Sequence, residues 1–370
     1  MPFGFVKLNL SNIMLLIMKK IKLGIVGCGG IFKYAHLPAY KKMQNVEIVA
    51  LCDIVEAKME DPEFPPDAHR YTAWQDLIND PEVEAVDICA PNYLHSVVGV
   101  AALKKGLHVF TEKPDAISVS EMQKLIDAEK ESGKVYMAMR NNRHLNVSKF
   151  FKQYIDEGKA GELYCGRCGI IRRRGIPGKG GWFTTKAQSG GGPLVDLGVH
   201  MIDLAVYFMG NPKAVSVSGC VYNKFANSDI SDSVNSKFGE KKDDGIFDVE
   251  DLAMGFIRFE NGACLQIEFS WASNIEKETA FLELRGEKAG LKFSYIPEDN
   301  RIYTEECGRL VDIAPRIPEP DGGHGQNLVH FIDVIQGNAK PDFTSEQGLN
   351  EMKILQAIYE SAETGKEVIL

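Results

Sequence analysis

The chain of 370 residues has no run of about 18 apolar residues, so no segment of it is built to cross a membrane as a helix. The apolar core near its start, "IMLLIM", is shorter than the hydrophobic region of a secretion signal and is followed by no small-residue cleavage site. "MKKIKLGIVG" therefore reads as a cytoplasmic start at Met18, with residues 1–17 an upstream extension. No long Lys/Arg run is present and the net charge is −9, which excludes the electrostatic footprint of a nucleic-acid binder; the one basic cluster, Arg172 to Arg174, is local. Internal repeats are absent. Among eight cysteines there is a single CxxC, Cys165 and Cys168, with neither a second pair to complete a zinc site nor a strand-to-helix setting for redox work. Most of the cysteines lie in apolar, strand-like runs, the placement of reduced thiols in a cytoplasmic protein.

What is present is ordinary globular material, 44% hydrophobic and 25% charged, long enough for two domains. From 21 to 139, five short apolar runs ("IKLGIV", "VEIVALC", "AVDICA", "LHVFT", "VYMAM") alternate with helical patterns. Capping boxes at Thr72 with Gln75 and Ser118 with Glu121 mark helix starts. Near-continuous apolar strands alternating with helices predict a doubly wound parallel sheet. Beyond about 150 the texture changes to period-two alternation, with Asn261-Gly262 as a hairpin turn, so a second α/β domain with a large open, mainly antiparallel sheet is expected. The polar stretch 227–248 reads as an excursion from that sheet, and a helix from about Ser345 to Thr364, opened by Thr344 with Gln347, closes the chain. The division is residues 18–142 and 143–370.

The first strand runs into Gly27-Cys28-Gly29-Gly30-Ile31, a turn at which backbone amides and a helix N-terminus can approach a pyrophosphate. Phe32 stands at the third fingerprint position, where a small residue is usual. Asp53, followed by Ile54, closes the second strand, where an acid can hold the adenosine ribose hydroxyls. Glu56 nearby would repel a 2′-phosphate, which favours NAD over NADP. Ala90, Pro91, Asn92 and His95 follow the third apolar run, Glu112 and Lys113 the fourth, and Asn142 with Arg143 the fifth. In an open parallel sheet these segments converge on one crevice beyond the strand ends.

A second concentration lies in "GGGPLVDLGVHMIDLAVYFMG". Asp196, His200, Asp203 and Tyr207 are spaced to share one face of an otherwise apolar α-helix. Asp196 and His200 carry the chemical expectation, Asp203 that of a buried structural partner, and Tyr207 that of core packing. No second histidine accompanies the stripe, which makes it a poor zinc site, and no metal is expected. The Gly190–Gly192 run is expected to let the helix start press close to the nicotinamide.

"GCGGI", "ICAPNYLH", "EKP" and "GGGPLVDLGVHMIDL", in that order, resemble the Gfo/Idh/MocA family of sugar and inositol oxidoreductases, from about Ile21 to the C-terminus. The resemblance implies a Rossmann domain joined to an open-sheet α/β domain, metal-free chemistry, and Lys113, Asp196 and His200 in the places of the family's catalytic Lys, Asp and His. "RRRGIPGKGGWFTTKAQSGGGPLVDLGVHMIDL", "FGEKKDDGIFDVEDL" and "EQGLNEMKILQAIYESAETG" are similar to its bacterial glucoside 3-dehydrogenase branch, whose members oxidise C3 of glucose-type sugars.

The expected reaction is hydride transfer between a secondary alcohol of a sugar and NAD. His200 would act as base at the ordinary histidine pKa of about 6.5. Asp196 would orient the imidazole or bind a hydroxyl, and Lys113 would stabilise alkoxide charge. Asn142, Arg143, Arg172 and Arg174 are the expected hydrogen-bonding groups for the sugar, with Trp182 and Phe183 lining the pocket. The competing readings are an inositol dehydrogenase, a redox-neutral glycoside-cleaving enzyme that retains NAD, and a non-catalytic NAD-sensing regulator. An open antiparallel sheet calls for a cover, so a homodimer or homotetramer is expected.

Overall fold

The computed structural model describes residues 19–228, 230, 239–317 and 322–370. The proposed extension 1–17 lies outside the described residues, as do 229 and 231–238 of the expected excursion.

The first sheet is parallel with the order β3-β2-β1-β4-β5-β6. Its strands are β1 (Ile21–Val26), β2 (Val46–Cys52), β3 (His69–Tyr71), β4 (Ala85–Ile88), β5 (His108–Thr111) and β6 (Tyr136–Ala138). β1, β4, β5 and β6 are buried almost throughout, which is why their sequences run apolar without alternation. Short α1 (Leu37–Tyr40) and α2 (Trp74–Leu77) and the longer α3 (Tyr93–Lys104) and α4 (Val119–Ser132) complete this unit. Ser118 caps α4 by accepting the Glu121 N–H, as its capping box predicts. Thr72 caps nothing: α2 is a single turn that starts after Ala73, with no side-chain cap.

The second sheet has nine strands, ordered β14-β13-β12-β11-β7-β10-β9-β8-β15. β7 (Leu163–Ile171), β8 (Ala214–Tyr222), β9 (Leu252–Phe259), β10 (Cys264–Ser270), β11 (Thr279–Gly286) and β12 (Ala289–Phe293) form its body. β13 (Arg301–Glu306), β14 (Arg309–Ile313) and the two-residue β15 (Val368–Ile369) extend its edges. Only β7 and β10 pair in parallel, and Gly262 turns the β9–β10 hairpin with φ +84°, as expected. Cys165 and Cys168 both lie on β7, and all eight cysteines are free.

The remaining helices are α5 (Asn146–Asp156), the single turn α6 (Lys186–Ser189), α7 (Val199–Phe208), α8 (Gly323–Ile335) and α9 (Ser345–Thr364). α9 lies on β8, where Gly219 leaves room for Ile358, and also meets α4. Its N-cap is Thr344, whose side chain makes no capping bond. α8 packs on the first sheet rather than the second: Leu328, Phe331 and Ile332 share a core cluster with Leu23, Ile25, Phe110 and Met137, and the Phe331 and Phe110 rings are 5.2 Å apart. The chain thus returns to the first sheet late in the 143–370 stretch, and this places α8 beside the crevice.

Candidate active site

At the end of β1 the glycine turn is an open cradle. Gly27 has φ +100°, and a Cβ there would meet the Cys89 carbonyl at 2.7 Å, so only glycine fits under the β4 end. A Cβ on Gly29 would meet nothing within 4 Å, so the outer wall of the turn is free for a ligand backbone to approach. The Cys28 N–H donates to Asp53 Oδ2 at 3.0 Å, and Asp53 Oδ1 accepts the Val55 N–H, which fixes the acid at the rim of the turn. Ile54 beside it is exposed. This arrangement fits a dinucleotide: backbone donors for a pyrophosphate and an acid for ribose hydroxyls.

Phe32 changes the helix that follows. Phe32–His36 is π-helical, with the Leu37 N–H bonding back to the Phe32 carbonyl, and the fully buried Phe32 ring lies 5.3 Å from Phe64. A wide turn makes room for a large ring where a small residue would suit an α-helix.

Two expected cofactor residues are otherwise engaged. The buried His95 ring faces the carbonyl oxygens of Pro114 (2.6 Å) and Ala90 (2.8 Å), so it ties the "APN" and "EKP" loops together and has no nitrogen left for a ligand. Asn92 donates to the Ser189 carbonyl at 2.8 Å and joins the first unit to the segment before α7. Ala90 and Pro91 are half-buried on that loop. Glu112 is buried, accepting the Lys113 N–H on one oxygen and facing His36 with the other.

The stripe residues do not sit on one regular α-helix, because Leu194–Gly198 is a π-helical turn that leads into α7. A π turn is a frequent mark of a functional site, and here it carries Asp196. Lys113 Nζ reaches Asp196 Oδ1 at 3.0 Å and the Asp196 carbonyl at 2.9 Å, while the buried Trp271 donates its Nε1–H to Asp196 Oδ2 at 3.0 Å. Burial pushes the Asp196 pKa up, but Lys113, Arg172 and these hydrogen bonds outweigh it and hold the carboxyl below its ordinary range. His200 lines the same recess with Lys113, Asn142 and Asp203. Among the described residues no group hydrogen-bonds its ring. Burial, helped by the Lys113 charge, pulls its pKa down to about 3, so the ring is neutral at any ordinary pH rather than half-titrated near neutrality as expected.

Asp203 is the structural partner the sequence implies. It accepts Arg140 Nε at 3.0 Å and both Arg143 Nε (2.8 Å) and Arg143 Nη2 (2.6 Å). Arg143 is thereby removed from the expected sugar contacts: it is buried, spends Nη1 on the Asp342 carbonyl and Gln347, and stacks on the Tyr207 ring at 4.6 Å. Asn142 stays at the recess, donating to the Tyr295 hydroxyl at 2.8 Å and the His200 carbonyl at 3.2 Å. Arg172 lies near enough to Asp196 to help lower its pKa, and it opposes the burial that raises the Tyr295 hydroxyl to about 12. Arg174 is held by the Ser273 carbonyl and Asn274, over the Phe225 ring. Trp182 and Phe183 stack on each other at 3.8 Å and are half-buried.

The glycine run lets its backbone press against Tyr359 and Glu250. A Cβ on Gly191 would strike the Tyr359 hydroxyl, and one on Gly192 the Glu250 carbonyl oxygen. Glu250 in turn accepts the Gly192 and Leu194 N–H groups at the start of the π turn. Sequence reasoning missed Trp271, Tyr295 and His324, which arrive from a strand end, a loop and α8; "FSWA" at the end of β10 was the one local sign, a tryptophan where the sheet meets the crevice.

Both halves of this architecture match family models. Residues 21–139 match the oxidoreductase family with an NAD-binding Rossmann fold, Gfo/Idh/MocA, and residues 152–370 match its C-terminal α/β domain. The chain belongs to the Gfo/Idh/MocA oxidoreductase family, and its cofactor is NAD. It is 30% identical to D-glucoside 3-dehydrogenase of Escherichia coli (strain K12) over 95% of this chain and 97% of that protein. It is 29% identical to levoglucosan dehydrogenase of Pseudarthrobacter phenanthrenivorans, covering 93% and 97% respectively. The solved structure of levoglucosan dehydrogenase in complex with NADH and levoglucosan shares the fold, with a TM-score of 0.79 and 23% identity over 95% of this chain and 99% of that one.

Proposed function

We propose that the protein is an NAD-dependent dehydrogenase that oxidises a secondary hydroxyl of a glucose-type sugar, with C3 of a glucoside as the leading position. The observation that carries this is the Lys113–Asp196 ion pair beside a neutral His200 whose ring has no hydrogen-bond partner among the described residues, at the strand ends of a dinucleotide-binding sheet. The names of the E. coli and Pseudarthrobacter relatives support the choice of a sugar.

Gly27, Cys28, Gly29, Gly30, Ile31 and Asp53 would hold NAD, which when bound supplies the hydride acceptor. Lys113, its ammonium fixed by Asp196, would orient the reacting oxygen by a hydrogen bond. His200 accepts the hydroxyl proton while the C–H bond gives up its hydrogen with the electron pair. A base with a pKa near 3 serves late in that step, because the hydroxyl becomes strongly acidic as hydride departs. Asp196 orients Lys113, and Trp271 holds Asp196. Asn142, at the recess, and Arg172, near Asp196, would donate to sugar hydroxyls, and Trp182 with Phe183 would offer a stacking face.

Incubation with NAD and a panel of methyl glucosides, free hexoses and inositols, followed by absorbance of NADH, tests the reading. NADH formation with a glucoside and recovery of the 3-keto sugar is the expected result; no NADH with any polyol and no NADH consumption with any keto sugar would overturn it.

The reading includes a cytoplasmic, homo-oligomeric enzyme. The unbridged cysteines support the location. The outer face of the nine-stranded sheet, which carries Met254, Phe256, Phe281 and Tyr303, supports self-association, and light scattering of the purified protein tests it.

A further inference from the structure

The buried polar cluster under the crevice is not accounted for by hydride transfer. His36, in the π turn after the glycine cradle, is fully buried. Its Nδ1 lies 2.7 Å from Asp87 Oδ2 and its Nε2 lies 2.9 Å from Glu112 Oε1. Ionised carboxylates only accept hydrogen bonds, so a ring placed between two of them must donate from both nitrogens, and a ring that donates from both is an imidazolium. The Tyr40 hydroxyl adds a donor to Asp87 Oδ2 at 3.0 Å. The titratable groups facing the ring are Asp87 and Cys89 at the end of β4, Glu112 beyond β5, Tyr40 from α1 and His324 from α8, whose ring centre is 6.4 Å away. Burial opposes a charge on His36, but Asp87 outweighs it and holds the imidazole well above the ordinary histidine range. Burial likewise opposes the Glu112 charge, and His36 outweighs that, holding the carboxyl well below its usual range.

From this cluster a line of alternating charge runs into the active site. Asp87 binds His36, His36 binds Glu112, Glu112 Oε2 accepts the Lys113 N–H at 3.1 Å, and Lys113 Nζ binds Asp196 at 3.0 Å. Lys113 sits on a loop beyond the sheet, between the Glu112 N–H held by the Ile88 carbonyl and the Pro114 carbonyl held by His95, and a displacement of about 1 Å of a reacting group can cost about 100-fold in rate. We propose that His36 is a positioning residue: a buried imidazolium that fixes the Glu112 carboxylate and, through it, the backbone of Lys113. The importance of Lys113 itself rests on the function proposed above.

His36, Asp87 and Cys89 also have ligand atoms within 4.8 Å of one another, the spacing of a metal site. A metal would need a lone pair on a ring nitrogen and a Cys89 thiolate, whereas both nitrogens face carboxylates and burial pushes the Cys89 thiol far up.

Nitrogen-15 NMR of the full chain at pH 8, with the His36 signal assigned by its loss in His36→Gln, tests the charge directly. Two protonated ring nitrogens are expected; a neutral tautomer, or stoichiometric zinc in the purified protein, overturns the proposal. Hydrogen exchange at the Lys113 amide tests the anchor: His36→Gln and Glu112→Gln should each accelerate it at least about 10-fold, and unchanged exchange in folded variants overturns it. Both readouts are independent of turnover, so they survive a failure of the sugar reading. With a methyl glucoside as substrate, each variant should lose about 10- to 100-fold in kcat while the Kd for NAD stays within a few-fold, and the double variant should lose no more than the worse single one. Equal, additive losses in NAD affinity and melting temperature with kcat intact would show a merely structural role and overturn the proposal.

Discussion

Asp196 and Asp203 stand on one continuous helical segment, yet they live in different worlds. Asp203 is buried and takes three hydrogen bonds from two guanidinium groups, Arg140 and Arg143. Arg140 continues to Asp115 at 2.5 Å and Glu351 at 3.0 Å and lies on the Phe343 ring, so the network is dense, closed and spans both units of the molecule. Asp196 has one ammonium and one indole N–H, the Lys113 and Asp196 side chains remain 19% and 17% exposed, and Lys113 lines the recess with His200. A charge whose partners are all protein is scaffold. A charge held firmly on one side and open on the other is available for chemistry, and the neutral His200 between the two aspartates belongs to the open half.

The sharpest way to test that division is to remove the open half. Lys113→Ala or His200→Ala should lower turnover by about 100- to 10,000-fold while circular dichroism and NAD binding persist; near-wild-type turnover in either variant would remove that residue from the mechanism. The closed half should answer in stability instead. Asp203→Ala leaves Arg140 and Arg143 buried without it and should cost about 3 to 5 kcal/mol in denaturant unfolding, because an uncompensated buried charge is expensive. A loss of turnover with unfolding unchanged would reverse the assignment of the two aspartates.

The smallest effect lies in pH. With a folded pKa near 3 against about 6.5 unfolded, His200 binds a proton more readily in the unfolded chain, so its contribution to stability is present above about 6.5 and is lost as pH falls toward 3. Unfolding free energies measured between pH 4 and 6 should fall less steeply in His200→Gln, by up to about 1.4 kcal/mol per pH unit. An identical slope in the variant would mean that the ring is not held neutral.

Legibility in the sequence followed locality. β1 and β2 coincide with the apolar runs "IKLGIV" and "VEIVALC", and the extent of α9 was plain, because burial on a sheet or helix face imprints a period on neighbouring residues. β3, three residues of "HRY" at a sheet edge, carries no such imprint, and neither do the largely exposed β13 and β14. α8 was overlooked because "GHGQNLVHFIDVI" opens on glycines and derives its place from the first sheet, far away in sequence. Within the site, Lys113, Asp196 and His200 were legible as motif residues, and the structure brings Lys113 and His200 to one recess with Asp196 paired to the Lys113 ammonium. Arg143 and His95 were misassigned for a shared reason: each has the residue type a ligand site uses, but its partners are Asp203 and the Pro114 and Ala90 carbonyls.

By itself the sequence determined the class of each half, the glycine turn under a dinucleotide and the identity of the groups able to do proton chemistry, since these depend on residue type and short spacing. Tertiary structure decided which of those groups are free. Whether a carboxylate meets two arginines or one lysine, and whether an imidazole is neutral like His200 or clamped between carboxylates like His36, depends on burial and on partners tens to hundreds of residues away. Electrostatic energies are set by distance and local dielectric rather than by order along the chain.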